Sequence, residues 1–283
     1  MDLSYIIVNY RSSPELSRCL DSITRTRFPG SYEIRVVDNS EGDPGLADLQ
    51  ERFPQVHWTL NPKNVGFARA NNQAAREARG RYLFFVNPDV VLSPGTPRCL
   101  ADYLGTHPRA AAVAPKVLDP DGSLQLSCRR FPGVWSGLFN RYSLLTRLFP
   151  NNPFSRDYLM LDFDHNHTRS VDWVSGCCLM VRADRFKQAG GFDENYFLFI
   201  EDVDLCRTFR NLGYEVVYHP ETLVTHAISS SNHRLPPETI IRRHRGMSYY
   251  HRKHLKGHPL GRTFLDLLIA LRCVSQLALN WFR

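Results

Sequence analysis

Three observations predict an α/β fold built on a mostly parallel sheet. Apolar runs of strand length alternate with segments of helical length, the order that right-handed crossovers produce. The runs are short and continuously apolar, as strands covered on both faces require. The first four of them each end in an Asn- or Asp-containing polar cluster, so their polar residues gather at one edge of the sheet.

The elements follow in order. Leu3–Val8 reads as a buried strand ending in Asn9-Tyr10-Arg11. Ser13-Pro14-Glu15 opens a helix, with Ser at the cap and Pro at its first position. Glu33–Val37 is a second strand, ending in Asp38-Asn39-Ser40, and Val56–Leu60 a third, ending in Asn61–Asn64. Gly66–Arg79 is a helix, because Phe67, Ala70, Ala74 and Ala78 recur at helical spacing. Arg81–Val86 is a fourth strand, stopped by Asn87-Pro88-Asp89. Pro94–His107 predicts a helix and Ala110–Lys116 a strand. Asp119–His167 is irregular, with Gly122, Pro132, Gly133, Pro150 and Pro153, and has the length of a lid or substrate loop. Then come an apolar run at Val171–Val181, a short helix at Ala183–Gly190 and a helix at Ile200–Leu212 opened by Glu201-Asp202. Two short strands, Glu215–Tyr218 and Leu223–His226, precede a helical, basic block from about Pro237.

Ligands of such sheets bind outside the carboxyl ends of the strands. Any one of the polar clusters there is explained by turn formation alone, but four consecutive ones point to a nucleotide site. Composition narrows the class further. The chain has 283 residues, 43% hydrophobic and 22% charged, which excludes disorder, collagen and coiled coil as the main class. The net charge of +7 is unevenly placed: residues 240–283 hold nine basic side chains and one acid, Asp266, so the remaining body carries −1. The basicity belongs to the tail. The seven cysteines lack any CxxC pair and imply reduced thiols. The N-terminus lacks the basic and long apolar regions of a signal peptide, and no stretch approaches the roughly 20 uninterrupted apolar residues of a spanning helix.

Several residues have the chemistry of a site. Asp89, in V-N-P-D-V-V, is placed to hold a divalent cation against a pyrophosphate, and equally placed to form an Asx turn. Glu201-Asp202-Val203-Asp204 is the densest acidic cluster, and follows the aromatic stretch Tyr196–Ile200. A carboxylate there has the surroundings of a general base, although the first turn of any helix favours acids. His226, before Ser229–Ser231, is a metal ligand or a packed imidazole. In the tail, His244, His251, His254 and His258 lie among seven basic residues with Tyr249 and Tyr250, a pattern open to nucleic acid or an anionic membrane. Thr263–Phe282 carries an apolar stripe of Phe264, Leu267, Leu268, Leu271, Val274, Leu277, Ala278 and Trp281, interrupted by Asp266 and Arg272. It reads as an amphipathic helix docked on the domain, on a second copy or on a membrane interface.

Six motifs in order carry a resemblance: S-Y-I-I-V-N-Y-R (Ser4–Arg11), V-V-D-N-S (Val36–Ser40), N-V-G-F-A-R-A-N-N (Asn64–Asn72), F-V-N-P-D (Phe85–Asp89), G-G-F-D-E (Gly190–Glu194) and I-E-D-V-D-L (Ile200–Leu205). Over about residues 3–260 the chain resembles a family 2 inverting glycosyltransferase. Within that family it is most similar to the rhamnosyltransferase-like branch of bacterial polysaccharide assembly. The resemblance implies the GT-A fold: an α/β, Rossmann-like, mostly parallel sheet with an acceptor-side subregion and a C-terminal helical extension. The corresponding division is a transferase domain at 1–236, with a nucleotide-sugar half at 1–118 and an acceptor half at 119–236, followed by a tail at 237–283.

The same resemblance implies a nucleotide-sugar donor, dTDP-L-rhamnose foremost, with galactose, glucose and N-acetylated sugars as the other candidates. Asp38 would contact the base, with Asn9, Arg11, Asn64, Gly66, Arg69 and Asn87 around the nucleotide. Asp89 matches the metal acid of the family's D-x-D element, which here reads Asn87-Pro88-Asp89. His226 would complete the shell of Mg²⁺ or Mn²⁺. Asp202 matches the catalytic base, and Trp173, Gly176 and Glu201 the acceptor side. The acceptor would be a saccharide, free or polyprenyl-linked, and the enzyme cytoplasmic, held at the inner face of the plasma membrane. A homodimer is a further expectation. The competing readings are a nucleic-acid-binding protein using the basic tail, which the near-neutral body opposes, and a catalytically silent nucleotide-sugar-binding subunit.

Overall fold

The structure, a computed structural model, describes residues 1–133, 152–227, 236–254 and 259–281. Ser229–Ser231, Lys256, His258, Phe282 and the 134–151 part of the irregular segment lie outside these ranges.

Strands β1 (Leu3–Asn9), β2 (Tyr32–Asp38), β3 (Val56–Leu60) and β4 (Tyr82–Val86) pair in parallel, with β1 between β2 and β4 and β3 outside β2. Helices α1 (Ser13–Thr26), α2 (Leu46–Arg52) and α3 (Phe67–Glu77) connect them. The continuous apolar run of β1 has the reason expected. Tyr5 and Ile7 enter a core with Leu16 and Leu20 of α1, whereas Ile6 and Val8 enter a second core with Ala70 and Ala74 of α3. The α1 cap falls one residue earlier than the sequence implies, at Ser12, whose hydroxyl donates to Asn9 Oδ1 at 2.8 Å rather than capping the helix.

Beyond β4 come β5 (Val90–Leu92), α4 (Thr96–Thr106), β6 (Ala110–Leu118), β7 (Cys128–Arg129) and α5 (Pro153–Tyr158). The run at Val171–Val181 is broken into three strands, counting one that starts just before it: β8 (Arg169–Val171), β9 (Trp173–Val174) and β10 (Cys178–Arg182). β10 lies antiparallel between β4 and β6 and joins the two parts of the sheet. After α6 (Ala183–Gln188) and α7 (Glu201–Asn211), the two strands expected at 215–226 are one, β11 (Glu215–His226). It runs parallel to β6, with a bulge between His219 and Leu223 where Pro220 cannot extend the ladder. β5 and β8 pair with β11, and β7 with β9 in a separate two-stranded sheet. The main sheet thus reads β3-β2-β1-β4-β10-β6-β11-β5.

Two helices form the tail, α8 (Pro237–His254) and α9 (Pro259–Trp281). α8 is bonded into the body through α7. Asp204 of α7 accepts from His254 Nε2 at 2.6 Å and from Lys253 Nζ at 2.8 Å, and Tyr249 donates to Asp193 at 3.0 Å. The guanidinium of Arg243 stacks 4.3 Å from the Phe199 ring. On α9, the two charges that interrupt the stripe turn towards α8: Asp266 pairs with Ser248 and Arg252, and Arg272 reaches Met247. Phe264, Leu267, Leu271, Val274 and Trp281 are left exposed, Trp281 by 73%. Despite its three charges, Arg262, Asp266 and Arg272, Leu260–Trp281 is long and apolar enough to cross a membrane by length and composition.

Candidate active site

The carboxyl ends of β1, β2 and β4 and the last residue of β11 meet at one edge of the sheet. At the first two, Asn9 is a hub. Its Nδ2 donates to Asp38 Oδ1 at 2.7 Å, and Asp38 Oδ1 also accepts from the Ser40 hydroxyl at 2.6 Å. The backbone N–H of Arg11 donates to the same hydroxyl at 2.7 Å, with Arg11 in the left-handed region at φ 53°. Asn9 and Asp38 are buried and fix the shape of this corner, while Arg11 extends from it into solvent.

The next motif is held from behind. Asn64 Oδ1 accepts from the N–H of Gly66. Gly66 has φ 91°, and a Cβ there would lie 2.8 Å from the Phe197 carbonyl, so the position admits only glycine. That carbonyl accepts from the N–H of Phe67 at 2.7 Å. Arg69 faces Glu194 at 2.8 Å, and Asn72 bonds both the Phe192 backbone and Glu194. The N-V-G-F-A-R-A-N-N and G-G-F-D-E motifs are therefore two sides of one contact.

At the end of β4, Asn87 N–H donates to the Cys177 carbonyl at 2.8 Å. Asn87 Oδ1 and Asp89 Oδ1 are both buried without a hydrogen-bond donor. His226 Nε2 stands 3.2 Å from Asp89 Oδ1, an ion-pair contact outside hydrogen-bond geometry. Burial draws the imidazole pKa down, but Asp89 and the Cys177 thiol outweigh it and push it up to about 10. On the other side of the ring, His226 Nδ1 meets Gln125 Oε1 at 2.9 Å, and Gln125 Nε2 donates to the His226 carbonyl. Nδ1–H is thereby spent on Gln125, which aims Nε2 at Asp89. A carboxylate, a carboxamide oxygen left without a donor and an oriented imidazole are a donor set that fits a divalent cation such as Mg²⁺ or Mn²⁺.

Asp202 opens α7. Phe199 and Ile200, at φ 68° and 75°, turn the chain sharply into the helix. The Asp202 carboxylate accepts from Gly176 N–H at 2.9 Å and from Val203 N–H at 2.8 Å, and it stays partly exposed. Burial pushes its pKa up, while these two N–H groups and the Arg129 charge pull the other way. Glu201 is buried with Oε2 unpartnered; burial and the adjacent Asp202 hold its carboxyl well above the usual range. Trp173 is 7% exposed, donates to the Arg130 carbonyl at 2.8 Å and carries Arg129 over its ring at 5.2 Å.

The two parts of the site are contiguous. Gly176 holds Asp202, and the next residue, Cys177, holds Asn87 through its carbonyl and faces His226 through its thiol. Sequence reasoning missed Gln125, Arg129 and Cys177. Gln125 had no signal, Arg129 lay in the irregular segment, and Cys177 read as one more apolar residue of a strand.

A family model described as "Glycosyltransferase like family 2" matches residues 2–248. The N-acetylglucosaminyl-diphospho-decaprenol L-rhamnosyltransferase of Mycobacterium tuberculosis is 32% identical over 255 residues, covering 86% of this chain and 81% of its own. Rhamnosyltransferase WbbL of Escherichia coli is 28% identical, with 81% and 83% covered. Among solved structures, the mannosyltransferase PcManGT of Pyrobaculum calidifontis, in complex with GDP-Man and Mn²⁺, superposes with a TM-score of 0.61 at 19% identity, over 98% of this chain and 73% of that one. Fold and sequence agree: the chain belongs to glycosyltransferase family 2 and is a glycosyltransferase of the GT-A fold.

Proposed function

We propose that this enzyme moves L-rhamnose from dTDP-L-rhamnose, with inversion, to a polyprenyl-diphosphate-linked saccharide in cell-surface glycan synthesis. The relatives from M. tuberculosis and E. coli, both rhamnosyltransferases by name, support the sugar, and the N-acetylglucosaminyl-diphospho-decaprenol in the name of the first supports the acceptor class. The observation that carries the chemistry is the Gly176-Cys177 link between Asp202 and the Asn87–Asp89 turn. In this reading the base and the diphosphate site stand on two sides of one short segment.

In this reading Asn9, Arg11, Asp38, Asn64, Gly66 and Arg69 shape the nucleotide side, Asp38 through the rigid Asn9–Ser40 corner. Asn87, Asp89 and His226 would hold Mg²⁺ or Mn²⁺, which when bound neutralises charge on the departing diphosphate. Asp202 takes the proton of the acceptor hydroxyl. That oxygen bonds to the anomeric carbon as the bond to the diphosphate oxygen breaks on the opposite face, so configuration inverts in one displacement. Burial raises the pKa of Asp202 and makes it a stronger base than an ordinary carboxylate. Glu201 and Trp173 support the acceptor side, Trp173 by holding Arg129 rather than by open contact.

The tail fits a lipid-linked acceptor. The exposed stripe of α9 lies beside the Arg-rich α8, which favours an anionic membrane surface at the cytoplasmic leaflet. The decisive variant is Asp202→Asn. Transfer should fall by about 10²–10⁴-fold, the contribution of a general base, with dTDP-L-rhamnose binding kept. Undiminished turnover would remove Asp202 from the role.

A further inference from the structure

A cluster away from the active site has ligands but no assigned purpose. Cys99 on α4 and His219 and Glu221 on β11 bring a thiol, an imidazole and a carboxylate oxygen within 4.8 Å of one another. His219 faces Pro115 of β6 and Thr225, the neighbour of His226, faces Leu118, three register positions on and about 10 Å away at 3.3 Å per residue. We propose that Cys99, His219 and Glu221 form a zinc-binding site, separate from the transferase centre, that staples the β11 bulge to α4.

The geometry is that of a site needing little movement. Cys99 Sγ is 3.4 Å from His219 Nε2, and Glu221 Oε2 is 3.8 Å from the same nitrogen. With Zn–S near 2.3 Å and Zn–N or Zn–O near 2.0 Å, the edges of a zinc tetrahedron are about 3.3–3.6 Å. The exposed Glu221 side chain is free to close the small excess. The imidazole is also aimed. His219 Nδ1 meets the Thr168 hydroxyl at 2.7 Å, and the ring packs against Tyr103 at 4.6 Å. With Nδ1–H donating to Thr168, Nε2 presents its lone pair to the cluster, the outer-shell arrangement that metal-bound histidines show. The bulge supplies the third ligand: in the register with β6, His219 faces Pro115 and Leu223 faces Lys116, so Pro220–Thr222 are looped out and Glu221 turns back towards His219. Thr96 of α4 already bonds Thr222 and the Leu223 carbonyl, fixing the loop's far end. Thiolate, imidazole and carboxylate are a zinc donor set, unlike the oxygen-rich set at Asp89, and a water completes the fourth position.

The test uses Co²⁺ on the full-length chain carrying Asp89→Ala, so that the transferase centre does not contribute. One equivalent should bind with a thiolate-to-cobalt charge-transfer band, which Zn²⁺ erases by displacement. Cys99→Ser should abolish the band, and Thr168→Val should weaken binding at least tenfold, as loss of an outer-shell partner does. Zn²⁺ should raise Tm in the parent and not in Cys99→Ser. If Asp89→Ala does not fold, the difference between wild type and Cys99→Ser gives the same reading. Absence of the band, or a band unchanged in Cys99→Ser because Cys177 supplies the sulfur, overturns the proposal.

Discussion

Replacing His254 by alanine asks whether the basic tail is part of the catalytic fold. Asp204 lies two residues past the proposed base, with its side chain 4% exposed. It receives His254 at 2.6 Å, Lys253 at 2.8 Å and the Tyr196 hydroxyl at 2.9 Å, and the first two come from α8. Removing one partner from a fully buried ion pair costs roughly 3–5 kcal/mol. Here two partners remain and Lys253 is one-third exposed, so the loss of one charge-assisted hydrogen bond, about 1.5–3 kcal/mol, is the better scale. In a chain of this size that lowers Tm by about 3–6 °C, read by calorimetry or circular dichroism. Truncation after residue 236 removes both donors together with buried Ile240 and Tyr250, and should abolish the cooperative transition. A His254→Ala Tm within about 1 °C of wild type, with a cooperative 1–236 fragment, would show α8 to be an appendage and refute the reasoning.

Gly176→Ala would put a Cβ 3.2 Å from that of Asp202 and displace the carboxylate by a few tenths of an ångström; kcat should fall about tenfold with the donor KM unchanged, and an unaltered kcat would detach Asp202 from the chemistry. The folded pKa of Glu201 is raised, so its stabilising effect is complete below about pH 4.5 and is lost as pH rises through the folded value. Glu201→Gln should therefore gain stability over wild type in urea melts as pH increases, and superimposable pH profiles would contradict the assignment. Replacing Phe264, Leu267, Leu271 and Val274 by serine should abolish binding to vesicles containing anionic lipid. Retained binding, or conversion of a dimer to a monomer, would make the stripe a protein interface.

The parallel part of the fold was legible because each strand there is an unbroken apolar run closed by a polar turn, and because its neighbours are close in sequence. The sequence of β11 reads as two strands since Pro220 and Glu221 interrupt the apolar pattern, yet the ladder resumes beyond the bulge. α2 and β5 were too short to show a period. The same division holds in the site. Asp89, Asp202 and His226 stand at element ends and could be singled out, but what orients them comes from a distance. Gln125 reaches His226, and Gly176 reaches Asp202, across loops whose composition gives no hint of the contact. The purpose of the G-G-F-D-E motif is clear only once Asn72 and Arg69 are seen against it.

The place of β10 has a consequence for how the protein is made. It is the central strand of the sheet, antiparallel to β4 on one side and β6 on the other, yet it leaves the ribosome well after both. Until residues 178–182 emerge, β4 presents an open apolar edge and β6 a largely apolar one, interrupted by Lys116, and each is a template for pairing with another chain. Closing the two seams is one late, long-range event, of the kind that slows folding. Nascent chains should therefore gain from protection over that interval, and fragments ending before Cys178 should aggregate rather than fold by themselves.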